Sequence, residues 1–343
     1  MLVREGLVEV EVPDVPETKG PGKKMPGFYN GSQKINRDIS VAFLNTVKPN
    51  LSLDAFGGTG IRGIRFREEA GVPTVISETN PASAEIIRKN IERNGNRTTL
   101  IQADCESVMR DFLFGFIDVD PYGSALPYID SALRNVRNGG YVGITATDLS
   151  ALTGSAEKAT ARRYRARVGV DSLKHEKGVR LLIRAVIEHG AAFDIAPVPL
   201  ISFWHSHFYR VIFQVNHGAT RCDELLSNID AVDVGGNVEG PLWTGKIESE
   251  AILSTLKVPD QIAEDRNTSE LLAYLKSEDT SIFFTDLNEA ARKIGMDPPR
   301  ISTVIDRLRE KGFTAVRTHF FPTGIKCSPK CPDQEIENAI RGN

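Results

Sequence analysis

Two hydrophobic rhythms alternate along the first half of the chain. Apolar runs of strand length occupy positions 51–56, 74–77, 98–103, 114–119 and 141–147. Between them the apolar residues move to helical spacing: Ile39, Phe43, Leu44 and Val47, then 64–70, then Ala84, Ile87 and Ile91, then 125–136. Strand and helix in strict alternation predict a parallel α/β sheet, whose ligands sit at the carboxyl ends of its strands. Two further strand-like stretches, 195–204 and 208–215, are close enough in sequence to pair antiparallel. Upstream, Val8, Val10 and Val12 alternate weakly before Pro13 and Pro16. A Gly/Pro/Lys stretch then fills 19–26, so this end reads as a hairpin or arm with a loop.

The second part of the chain has a different pattern. Residues 218–265 are acidic and are broken at Gly235-Gly236 and Gly240-Pro241. Helical spacing returns at 270–276, 287–294 and 301–311, followed by strand-like residues 313–321 and a Pro322-Thr323-Gly324 turn. Three helices and a hairpin suggest a winged-helix-like part. The expected organisation is an α/β domain over 1–217 and a smaller α+β domain over 218–343. The latter divides into a connecting region, 218–265, and the winged-helix-like part, 266–326.

Composition narrows the class. A chain of 343 residues, 41% hydrophobic and 25% charged, has the make-up of a two-domain globular protein. Its apolar stretches are too short to span a bilayer, and its first residues lack the order of a signal peptide, so a cytoplasmic location is expected. Cys105, Cys222, Cys327 and Cys331 have the spacing of neither a disulfide framework nor a four-cysteine zinc site, so no metal is expected. The net charge of −3 conceals two basic blocks, 157–184 and 292–330. Each block suits either a polyanion or a solvated helix face.

The candidate chemistry lies at the strand ends. Asp120-Pro121-Tyr122-Gly123 follows the apolar run 114–119. The Asp carboxylate and the peptide carbonyl beside the proline can accept hydrogen bonds from an amino group, and the Tyr ring can stack on a flat base. Gly57-Gly58-Thr59-Gly60-Ile61-Arg62-Gly63 is a glycine-rich turn that opens a helix, and Gly58, Gly60 and Gly63 match a dinucleotide fingerprint. A nicotinamide dehydrogenase is one reading of that loop. Against it, Asp54 ends the preceding strand and would repel a pyrophosphate. Acids beside the loop suit S-adenosylmethionine, which carries a sulfonium and an ammonium and no phosphate. Glu78 then faces the ribose and Asp104 the adenine amino group. Arg37 and Arg62 either take the methionine carboxylate or are surface helix residues. Asp54, Glu78, Asp104 and Asp120 share a strand-end position, which favours one pocket.

Several of these segments together carry a resemblance. Residues 54–63, the Asp120-Pro121-Tyr122-Gly123-Ser124 stretch and Thr145-Ala146-Thr147-Asp148 occur in order. Phe28-Tyr29-Asn30 and Asn36-Arg37-Asp38 lie upstream of them. Gly240-Pro241-Leu242-Trp243 and 319–326 lie downstream. The combination resembles the tRNA guanine-N2 dimethyltransferases of archaea and eukaryotes over nearly the whole chain. It implies a class I S-adenosylmethionine-dependent methyltransferase, with a Rossmann-like sheet, acting on the N2 of guanosine 26 in tRNA. It also implies Asp120 as catalytic acid beside Pro121 and Tyr122. The cofactor site would be lined by Arg37, Asp54, Gly57, Gly58, Arg62, Glu78, Asp104 and Cys105. Phe28 is a stacking ring or core packing, and Arg162, Arg163, Arg165, His319 and Lys326 would meet tRNA phosphates. Relatives with a zinc site carry paired cysteines before the Gly-Pro-Leu-Trp segment, where this chain has only Cys222. A monomer is expected. The remaining alternatives are an amino-methyltransferase on ribosomal RNA guanine N2 or DNA adenine N6, and a winged-helix nucleic-acid binder without catalysis.

Overall fold

The computed structural model describes residues 1–13, 26–95, 97–278 and 282–342; most of the predicted loop over 19–26 lies outside the described residues. Leu2–Glu5 (β1) and Val8–Glu11 (β2) form an antiparallel hairpin. The weak alternation has a physical basis, because Val8, Val10 and Val12 pack on Ile61, Ile64 and Ile87. Lys34–Val47 (α1) follows. Then come the sheet strands Ser52–Asp54 (β3), Thr74–Ser77 (β4), Thr99–Ile101 (β5), Phe114–Val119 (β6), Val136–Ala146 (β7), Ile195–His205 (β8) and Phe208–His217 (β9). They are ordered β5-β4-β3-β6-β7-β9-β8, with β9 antiparallel to both of its neighbours. Every residue of β6 is buried, as expected of a central parallel strand covered on both faces. The strand order reverses between β3 and β6, which opens a crevice at their carboxyl ends.

Helices Ile61–Glu68 (α2), Pro81–Arg93 (α3), Cys105–Asp111 (α4), Leu126–Asn135 (α5), Leu149–Leu152 (α6), Glu157–Tyr164 (α7) and Lys174–Ala191 (α8) cover the sheet. Their starts follow local chemistry. The Asn80 side chain accepts from the Ala82 and Ser83 amides with Pro81 in the first turn, and Asp104 accepts from the Ser107 amide. Strand β7 begins five residues before the expected start at 141. Val136 pairs with Phe114, and the register then shifts across Gly139-Gly140 before Tyr141 pairs with Phe116. The two glycines concealed this from propensity.

The region expected to be a connector is structured. It holds Ala219–Leu226 (α9), the hairpin Ile229–Val234 (β10) and Asn237–Trp243 (β11), and helices Glu250–Thr255 (α10) and Asp260–Ala263 (α11). Arg266–Ser277 (α12), Thr285–Asp286 (β12), Leu287–Lys293 (α13), Ile301–Glu310 (α14), Thr314–Arg317 (β13), Gly324–Ser328 (β14) and Asp333–Arg341 (α15) complete the chain. The core does not break at 217/218. Leu253, Ile262, Leu271 and Leu275 share a cluster with Ile39, Phe43 and Phe208, and a separate core begins only at Leu287.

Helix α8 corrects the reading of the first basic block as one polyanion surface. Lys177, Arg180 and Arg184 are buried. Arg180 donates to Glu176 and to the carbonyls of Trp243 and Gly245, and Arg184 donates to the Pro241 carbonyl. These side chains therefore fasten the β10–β11 hairpin to α8. His319 and Lys326 are corrected on the same grounds. Lys326 Nζ lies 3.3 Å from Glu176 and 3.5 Å from Glu278, and His319 Nδ1 lies 2.5 Å from Glu278. All these side chains are shielded from solvent, so neither His319 nor Lys326 faces a phosphate. The cluster joins α8 to the terminal module.

Asp54 ends β3 with its carboxylate 3.0 Å from the Gly63 amide, bracing the glycine turn. Burial pushes this carboxyl up to about 7, against the lowering effect of Arg62. Between about 4 and about 7 the folded chain therefore holds a proton that the unfolded chain has lost. Stability from this group is full below about pH 4 and is lost as pH rises through about 7. Urea unfolding across that window should show Asp54→Asn with a flatter decline than the parent; parallel curves would contradict the assignment. Lys326→Met should cost roughly 3–5 kcal/mol in the same assay by leaving buried carboxylates under-compensated. A loss below about 1 kcal/mol, the level of a surface pair, would mean that the joint is solvated.

Candidate active site

A cavity of about 470 Å³ opens at the β3/β6 crevice. The glycine turn forms one wall. Gly58 has φ +55°, and a Cβ there would stand 2.9 Å from the Phe28 carbonyl oxygen. A Cβ on Gly57 would strike Ile76 at 2.7 Å and Ile87 at 2.8 Å. The turn therefore needs glycine to lie this close to its neighbours. Glu78, just beyond β4, closes the turn by accepting from the Gly58 amide at 3.0 Å and the Asn80 amide at 2.8 Å. Both residues border the cavity.

Asp104 and Cys105 border it from the start of α4. Ser107 donates its hydroxyl to Asp104 at 2.6 Å and its amide at 3.0 Å, which holds the carboxyl below its usual range. Burial pushes the Cys105 thiol up to about 11, so it stays a neutral thiol at physiological pH. Asp54 lies beneath the turn rather than on the cavity wall.

The opposite wall is the turn after β6. Asp120, Pro121 and Tyr122 line it, and Tyr122 remains 45% exposed. Phe28 approaches Tyr122 edge-on, with ring centroids 4.7 Å apart at 67°. The turn is held by Thr147 at the end of β7, which accepts from the Gly123 amide at 2.8 Å and donates its own amide to the Gly123 carbonyl at 2.9 Å.

Charge in the crevice centres on Arg62. Its guanidinium bonds to Asp120, lies 3.4 Å from Asp118 and donates to Asn36 at 3.3 Å. Arg37, also on the cavity wall, is paired with Glu5 at 2.5 Å. Both arginines were expected to meet a ligand carboxylate or to lie on the surface. They are instead buried and held by protein carboxylates, so an incoming carboxylate would share them.

Arg162, Arg163 and Arg165 are exposed on or just after α7, outside the cavity. The helix is tied to the site through Asp148, which accepts from the Tyr164 hydroxyl at 3.1 Å and pairs with Arg163 at 3.3 Å. Sequence reasoning assigned no role to Asn30, Gln33, Thr147 or His207, all on the cavity wall. Asn30 and Thr147 lie within the quoted motifs. His207, in a turn between two strands, carries no spacing signal at all.

Comparison with known proteins identifies the family. The family described as N2,N2-dimethylguanosine tRNA methyltransferase matches residues 6–236 and 230–340. The tRNA (guanine(26)-N(2))-dimethyltransferase of Thermoplasma volcanium is 38% identical, covering 99% of this chain and 98% of its own length. The enzyme of the same description from Thermoplasma acidophilum is 40% identical, covering 96% and 95%. Among solved structures, Trm1 from Pyrococcus horikoshii in complex with S-adenosyl-L-methionine superposes with a TM-score of 0.87, at 28% identity and 99% coverage of both chains. A mixed sheet with this strand order, a glycine turn at the switch point and matches of this extent assign the chain to the N2,N2-dimethylguanosine tRNA methyltransferase family.

Proposed function

We infer that this protein methylates the exocyclic N2 of guanosine 26 in tRNA, using S-adenosyl-L-methionine and yielding N2-methyl- and N2,N2-dimethylguanosine. The observation that carries the reading is one cavity bordered by both the glycine turn with Glu78 and the Asp120 turn with its aromatic pair. The residues fit the methyl donor. Glu78 and Asp104 border the cavity beside the glycine turn, which suits a cationic ligand without phosphate, and Gly57 and Gly58 line the same wall. Bound there, the donor supplies an electrophilic methyl group.

The chain's own residues supply the rest. The guanine N2 lone pair is delocalised into the ring, so the amine is a weak nucleophile. Asp120 and the peptide carbonyl beside Pro121 accept its N–H bonds and aim the lone pair. Those bonds strengthen as positive charge builds on nitrogen, which places their benefit in the transition state. Arg62 bonds to the Asp120 carboxylate and orients it for this role. Phe28 and Tyr122 hold the base on its faces. A sandwiched base needs its two flanking rings roughly 7 Å apart, so one ring must swing out of the present edge contact to admit it. A base within folded RNA reaches such a pocket by flipping out.

Arg162, Arg163 and Arg165 on the α7 side of the site contact backbone phosphates. The exposed part of the second block, including Arg292, Lys293 and Arg317, extends that surface over the terminal module. The described residues that line the cavity all come from one chain, in keeping with the proposal that the enzyme acts as a monomer. A tRNA substrate suits a cytoplasmic location. Among the described residues no helix is long and apolar enough to cross a membrane.

Two experiments test the reading. Asp120→Ala should retain S-adenosylmethionine binding in a calorimetric titration. The same variant should lose about 100-fold or more of labelled methyl transfer to tRNA. Transfer at the parent rate would remove Asp120 from the mechanism. Replacing Arg162, Arg163 and Arg165 together with Gln should weaken tRNA binding, flatten the slope of log affinity against log salt by about 2–3, and leave donor affinity unchanged. An unaltered salt slope would return α7 to a solvated surface.

A further inference from the structure

Strands β8 and β9 are joined by the two residues Ser206 and His207, with Ser206 in the left-handed conformation at φ 52°. This tight turn delivers the His207 ring to the cavity wall. There the ring meets Asn30, the last residue of the Phe28-Tyr29-Asn30 segment. The Asn30 amide orientation follows from its partners: Oδ1 accepts from the Ser32 amide at 3.0 Å and the Ser32 hydroxyl at 2.6 Å. Its Nδ2 therefore faces His207 Nε2, 3.1 Å away, and Nε2 must be the acceptor. His207 Nδ1 carries the proton, 3.3 Å from Ser206 Oγ and 3.4 Å from Ser32 Oγ. Burial lowers the affinity of this ring for a second proton, and the charge of Asp120 acts in the opposite direction. His207 is thus neutral at physiological pH and within electrostatic reach of Asp120.

In guanine, N2, N1 and O6 form one edge, and flipped bases are read along that edge. With N2 at Asp120, the N1–H and O6 groups extend roughly 2–5 Å further along the wall, by the geometry of the base edge. Several polar groups near the Asp120 turn are committed to the fold. Arg62 holds Asp118 and Asp120, Thr147 holds the Gly123 amide, and Gln33 Oε1 takes the Asn36 amide at 2.8 Å. The single Nε2 lone pair of His207 is held by Asn30 Nδ2; an N1–H that takes it over releases that amide hydrogen, so Asn30 then has both hydrogens to offer.

We propose that Asn30 and His207 together read the base edge next to the reacting amine, His207 accepting from N1–H and Asn30 donating to O6. The proposal rests on the guanine-N2 reading of the cavity. It makes His207 a specificity residue, in contact with substrate and separate from the group that orients the reacting amine.

The test compares two tRNA transcripts, one with guanine and one with 2-aminopurine at position 26. 2-Aminopurine keeps the 2-amino group but lacks both O6 and N1–H. The parent enzyme should prefer guanine in kcat/KM. His207→Ala should reduce that preference about tenfold or more, because the interaction it removes is made only with guanine. His207→Gln, which keeps a donor and an acceptor, should retain part of it, and donor affinity should be unaltered in both variants. An unchanged preference in His207→Ala, including an equal loss on both transcripts, overturns the proposal. A parent enzyme that methylates neither this nor bulk tRNA would instead overturn the underlying function, so the two failures are distinguishable.

Discussion

The structure depends on one guanidinium. Three carboxylates, Asp54, Asp118 and Asp120, crowd the carboxyl ends of β3 and β6, and Arg62 acts electrostatically on all three. Like charges near a protein surface repel by about 4 kcal/mol at 4 Å, which a countercharge at the centre offsets, while burial leaves Asp54 holding its proton up to about pH 7. Arg62 arrives there because the glycine turn is short and opens directly into α2, placing the second helical residue over the strand ends. Arg210 on β9 meets Asp118 from behind at 2.5 Å, which leaves the Asp120 side of Arg62 facing the cavity. A carboxylate held in this way is fixed in direction. For an amine that must present a lone pair rather than lose a proton first, a fixed acceptor serves better than a strong base.

The same economy connects binding to chemistry. The turn that carries Asp120 is pinned to β7 through Thr147, and the next residue, Asp148, anchors α7 through Tyr164. An RNA backbone resting on α7 is therefore two residues of sheet away from the acceptor. On the other flank, α8 holds the terminal module through the Glu176, Glu278 and Lys326 cluster. Both proposed RNA-facing surfaces are thus referenced to the one sheet that places the pocket.

Much of this was legible in the sequence because it follows local rules. The β6 run, the glycine turn, the Asn80-Pro81 helix start and the strand-end acids all report their roles through spacing and residue type. What was not legible depends on partners distant in sequence. Lys326 and His319 look like phosphate ligands in a linear reading, and only the approach of Glu176 and Glu278 turns them into a buried joint. The basic residues of α8 looked like a surface for the same reason. Arg180 and Arg184 are paired with carbonyls more than fifty residues away, which no periodicity can show. Charge masks the strands of 218–265, so its pattern predicts only a connector. Its hairpin is stabilised by packing onto α8 rather than by its own pattern.

His207 is the extreme case. It sits in a strained two-residue turn, and nothing in its neighbours signals a site. Its chemistry comes from Asn30, 177 residues earlier, and from Ser32, both carried to it by the closure of β8 and β9 against α1. The reacting amine is a feature that guanine shares with other purine analogues, so the groups that orient it do not by themselves select guanine. Selection has to come from groups that touch N1 or O6, and these must lie beyond the acceptor turn, on another element of the fold. A motif search finds the residues that act on the amine. The residues that choose the base become visible only once the sheet has brought its far strands back to the same crevice.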